Sequence, residues 1–142
     1  MKAWLLALLA IATITPLAFA QKQAEPQWIT RDALPTSFVV GAGDQPLWLA
    51  VAVVDGKVVA AADPGGINAK RSGDGEMTML NVTSTLDAQI KYDLYISPDG
   101  EHFLYTSTCA LMPKMSNFES WPYRIHTFAL GNARITTEHV CN

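Results

Sequence analysis

Asp99, Glu101 and His102 lie within four consecutive residues, a short distance ahead of Cys109. Carboxylates beside an imidazole are the residue types of acid–base catalysis or metal ligation. Their context gives each a simpler task. In Ser97-Pro98-Asp99-Gly100-Glu101, proline sets φ for the first central position of a type I turn, and glycine takes the left-handed position that follows. The trio reads as turn chemistry. With Ser97 opposite Glu101, the turn would place Leu94 against Leu104 and Tyr95 against Phe103.

The three histidines are His102, His126 and His139. If Gly131-Asn132 is the two-residue turn of a C-terminal hairpin, His126 and His139 share one face as diagonal neighbours, with Arg124 opposite His139. Joined by His102 and the thioethers of Met112 and Met115, they form the ligand set of an exported copper or zinc carrier, since soft sulfur suits Cu(I). This is the alternative reading. Arg124 opposes it, and zinc needs three or four converging ligands. Met77 and Met79 share a strand face and read as core filling.

The segment "SNFESWPYR", residues 116–124, gathers Phe118, Glu119, Trp121, Tyr123 and Arg124. These are side chains of binding hot spots. They fall in a connection, residues 112–124, where recognition commonly resides. The principal expectation is a small binding protein, of the inhibitor, immunity or envelope-binding kind, that meets a protein or envelope component here. There is no Gly-x-Ser-x-Gly elbow and no His-Glu-x-x-His. Nor is there a phosphate loop or a calcium-loop spacing, so no enzymatic activity and no cofactor is expected.

The elements that must position these residues are strands. "TSFVVGAG" (36–43), "PLWLAVAVV" (46–54), "KVVAAA" (57–62), "EMTMLNVTST" (76–85) and "AQIKYDLYIS" (88–97) show period two or short apolar runs. Asp55-Gly56 is a hairpin signal. Residues 63–75, rich in glycine, read as a long surface loop. Residues 123–130 and 133–140 form the expected C-terminal hairpin. About eight strands without a helix predict an all-β fold, an antiparallel β-sandwich of immunoglobulin-like or jelly-roll-like type.

The chain has 142 residues and a formal net charge of −3. That balance argues against nucleic-acid binding, which relies on neutralising phosphates. Met1-Lys2, the apolar run that follows, Pro16 and Ala18-Phe19-Ala20 read as a signal peptide over residues 1–20. No membrane insertion is expected after its cleavage. Residues 21–35 read as a linker or arm on which Trp28 and Ile29 touch the body, and residues 36–142 as one sandwich domain. In a secreted or periplasmic chain, Cys109 and Cys141 are expected to form a disulfide.

Overall fold

A computed structural model describes residues 24–62 and 65–141. The expected signal peptide lies outside the described residues. The fold is all-β, a single domain of antiparallel sheets packed against each other. Its strands are β1 (Trp28–Thr30), β2 (Val39–Ala42), β3 (Leu47–Leu49), β4 (Val51–Val54), β5 (Lys57–Ala60), β6 (Ile67–Ser72), β7 (Thr78–Ser84), β8 (Ile90–Ser97), β9 (His102–Thr106), β10 (Ser116–Trp121) and β11 (Thr127–Ile135). One sheet has the order β1-β9-β8-β11-β2, the second β10-β7-β6-β3, and β4-β5 stands as a separate hairpin.

Alternation builds the core between the two large sheets. Ile90, Tyr92, Leu94 and Ile96 of β8, and Phe128 and Leu130 of β11, meet Leu80 and Val82 of β7 and Ile67 and Ala69 of β6. The other face of the five-stranded sheet is not left to water. Phe103 and Ala129 are buried there under Leu34, with Ile29, Phe38, Val40 and Tyr95 packed around them. The arm supplies that cover: β1 pairs with β9, Ile29 opposite Phe103, and a single 3-10 turn, Arg31–Ala33, leads into Leu34.

Several expectations are corrected. Residues 63–75 contain β6, a central strand. Ile67 and Ala69 point inward at 0% and 2% exposure, an alternation too short and too glycine-flanked to stand out. The run 46–54 is two strands broken at Ala50, and β3 and β4 serve different sheets. The cause is a close approach: a Cβ on Gly66 would lie 2.5 Å from the Leu49 carbonyl and 2.7 Å from the Val51 nitrogen. The Asp55-Gly56 turn forms as expected, with φ of 51° and 72° and Val54 opposite Lys57.

The C-terminal hairpin does not exist. β11 runs straight through Gly131 and Asn132 and is flanked by β8 and β2. The ladder with β8 shifts between Gly131 and Arg134, and Asn132 has φ of 51°, so the residues that favour a tight turn here make a bulge instead. Gly131 is needed for space. The Cγ and Cε2 atoms of Phe38 would lie 2.6 Å from a Cβ at that position. Asn132 Nδ2 donates to Asp93 Oδ2 at 2.8 Å, and Arg134 Nη1 donates to Asp93 Oδ1 at 3.0 Å, which pins the bulge to β8.

Candidate functional site

The Pro98-Asp99-Gly100 turn is held by its own side chains. Asp99 Oδ1 accepts the backbone N–H groups of Glu101 and His102, each at 2.8 Å. Ser97 Oγ accepts from the Gly100 N–H at 2.8 Å and donates to Asp99. His102 Nδ1 lies 2.7 Å from Asp99 Oδ2. These donors, the His102 amide first, hold the Asp99 carboxyl far below the usual carboxylate range. The capped turn is wider than the expected one. Ile96 pairs with Leu104, Tyr95 with Tyr105 and Leu94 with Thr106, a shift of two residues that leaves every side chain on its expected face. Among the described residues the hydrogen bonds of His102 go to Asp99.

The histidines do not converge as expected. His126 donates its backbone N–H to the Ser97 carbonyl at 2.9 Å, and its ring Nδ1 lies 2.7 Å from Thr127 Oγ1. It sits over Gly100, beside the turn that holds His102. His139 is at the opposite end of β8, where Gln89 Nε2 donates to the neighbouring Glu138 carbonyl at 2.7 Å. Strand rise alone separates those ends by roughly 25 Å. The shared face and the Arg124–His139 pairing came from a hairpin that β11 replaces. Among the described residues no group of three or more His, Cys, Asp or Glu is placed to hold a metal ion. Met112 and Met115 flank a turn in which the Met115 N–H donates to the Met112 carbonyl. The bridge from Leu111 to Ile90 places Met112 at the Gln89 end of β8, the His139 end and the one opposite His102 and His126.

The aromatic segment is rebuilt by the structure. Residues 112–124 are not a plain connection but contain β10, an edge strand paired with β7. Ser116, Phe118 and Ser120 face outward, while Asn117, Glu119 and Trp121 face inward. Trp121 is buried, its ring 5.7 Å from Phe128. Glu119 is half-buried, and desolvation raises its carboxyl above the usual range, opposed by a hydrogen bond from the Cys109 N–H and by Lys91. Asn117 Nδ2 donates to the Cys109 carbonyl at 3.0 Å. The inward half of the set therefore fastens β10 to the segment around Cys109.

The outward half forms a surface. Phe118 is 72% exposed. It lies opposite Asn81, with Met79 its diagonal neighbour on β7. The Tyr123 carbonyl accepts from Thr78 Oγ1 at 2.9 Å, which sets exposed Tyr123 at the Met77–Met79 end of the strand. Met77, Met79 and Met115 are all exposed, so the core-filling reading of Met77 and Met79 is overturned; the inward positions of β7 belong to Thr78, Leu80, Val82 and Ser84. Arg124 is exposed and among the described residues makes no ion pair. Sequence reasoning named Phe118, Tyr123 and Arg124. It missed the methionines as surface, although their alternation with Thr78 and Leu80 carried the information.

Cys109 and Cys141 are joined as a disulfide, in keeping with an oxidising compartment. Between them lies Lys91, whose ammonium donates to the carbonyls of Thr108 and Val140. It is buried, although it points to the expected outer face of β8, because the C-terminal segment covers it. That burial, with Arg134 close by, lowers its pKa from the usual lysine value. No protein-family model, no curated protein and no solved structure matches the chain.

Proposed function

We propose that the protein is an exported binding module, released from a signal peptide over residues 1–20, that recognises a protein or another component of the cell envelope through the outer face of β10 and β7. The observation that carries this reading is Phe118, an aromatic ring 72% exposed on an edge strand. Met79 is its diagonal neighbour on β7, and exposed Met115 and Tyr123 lie just beyond the two ends of β10, with Arg124 following. Exposed aromatic and methionine side chains in one patch are what a recognition surface offers: rigid area from the rings, and adaptable packing from the thioethers. Glu119 and Trp121 act from beneath by fixing the strand.

The test is capture from the envelope fraction of the producing cell on the oxidised domain, compared with the Phe118→Ala/Tyr123→Ala variant. Both side chains are exposed, so the variant should melt within about 0.5 kcal/mol of the wild type. Loss of two hot-spot rings should weaken binding by about 2 kcal/mol or more, some thirtyfold. Equal capture by the variant would refute the assignment. So would collapse of its fold, which would make the rings structural.

A further inference from the structure

The β4–β5 hairpin shares no backbone ladder with either large sheet, although Val51, Val53 and Val58 pack against the core and β5 lies beside β11. Among the described residues its backbone offers an edge that is not used. In an antiparallel pair, alternate residues exchange backbone hydrogen bonds, and those between turn their N–H and C=O groups outward. The Ala61 N–H donates to the Ala50 carbonyl at 3.0 Å. With Val51 opposite Ala60 and Val53 opposite Val58, that parity makes Ala52–Val59 and Val54–Lys57 bonded pairs. Val58 and Ala60 then direct their backbone groups away from the hairpin. Among the described residues no backbone group accepts from either N–H.

Beside this edge lies an open cleft of about 390 Å³. Val39, Leu49, Val51 and Ala133 line it, Ser37 and Asn132 are its main polar groups, and no charged side chain takes part. Val59 stands at the edge, 40% exposed.

We propose that the β5 edge and this cleft take an extended, uncharged, apolar peptide segment of a protein partner as an added strand. The donors and acceptors at Val58 and Ala60 are two residues apart, the repeat at which an extended peptide presents its own. A lipid chain or apolar small molecule would fill the cleft and leave those groups unpaired. Lys57 at the start of β5 is the kind of edge charge that discourages pairing with a second copy. The site is separate from the β10 surface and does not depend on it.

A displayed library of random decapeptides, panned on the oxidised domain, supplies the probe. Enriched peptides should be apolar at alternate positions. N-methylation at alternate residues, which removes the bonding N–H groups, should weaken them about tenfold or more, as expected for two backbone hydrogen bonds. Val59→Lys, an exposed change that leaves the hairpin paired, should do the same. In amide exchange, saturation with peptide should slow Val58 and Ala60 about tenfold and leave Val59, already bonded within the hairpin, unchanged. Phe118→Ala should have no effect on this binding. The proposal is overturned if no peptide is enriched, or if binding survives both N-methylation and Val59→Lys. It is also overturned if sedimentation shows a dimer that Val59→Lys dissolves, since the occupant is then a second copy.

Discussion

At the scale of single residues, two positions have consequences that can be measured. Gly131 lies in a continuous strand, and its missing Cβ is the space that Phe38 occupies. Gly131→Ala should destabilise the domain by about 1–3 kcal/mol through overpacking. Adding Phe38→Leu should recover part of that loss, giving a clear interaction energy in a double-mutant cycle read by urea denaturation. Asp99 is a pH determinant. Its carboxyl is held below the ordinary value of 3.8 by the His102 and Glu101 amides and the His102 ring. In the window below pH 4 the unfolded chain therefore binds the proton before the folded one does. Stability contributed by Asp99 is present above that window and is lost as pH falls through the depressed value. Thermal melts between pH 2 and 6 should show this acid limb in the wild type and a flatter profile in Asp99→Asn, whose amide no longer titrates. The residue choices at both places were visible in the sequence. Their meaning was partly misread at Gly131-Asn132, because turn and bulge ask for the same left-handed residues.

At the scale of elements, the C-terminal segment is held by two devices that share one place. The disulfide joins Cys109 to Cys141, and Lys91 donates to the carbonyls of the residues just before each cysteine. Replacing both cysteines by serine should cost about 3–4 kcal/mol, the closure entropy of a loop of this length. Residues 136–141 should then fray, and amide exchange would register the change there first, while β8 and β11 stay protected. Preserved protection at residues 136–141 would show that Lys91 and its carbonyls suffice. The strands themselves were largely legible. Alternation placed β7 and β8, and Asp55-Gly56 placed the β4–β5 hairpin. β6 and β10 were hidden, because glycine clusters in one case and a dense set of aromatic and polar residues in the other resembled loops. In both, inward residues alternate as in any strand, but the alternation runs for only six residues.

At the scale of the whole molecule, the five-stranded sheet is covered on both faces, by the four-stranded sheet on one and by Leu34 and Phe38 on the other. The outer face of the four-stranded sheet carries Phe118 and Met79, both exposed among the described residues. The proposed envelope contact and the proposed strand-addition edge therefore belong to different parts of the fold. Phe118→Ala should weaken the first and spare the second, and Val59→Lys should do the reverse. This separation makes the two readings independent, so the failure of one leaves the other standing.

The sequence by itself determined the all-β class, the pairing of Cys109 with Cys141 and the place of the turn at Pro98-Asp99-Gly100. These follow from local rules: period-two burial, left-handed residues in turns, and a cysteine count of two. Only the tertiary structure decided which neighbours each strand has. That choice set His139 at the other end of β8 from His102 and His126, turned Trp121 and Glu119 inward, brought Met79 of β7 to the surface and, among the described residues, left the β5 edge unpaired. The physical reason is that alternation specifies which residues share a face, while register and strand order depend on contacts between segments distant in the chain. Gly66 against the Ala50 corner and Phe38 against Gly131 are two such contacts, and no window of sequence contains both partners.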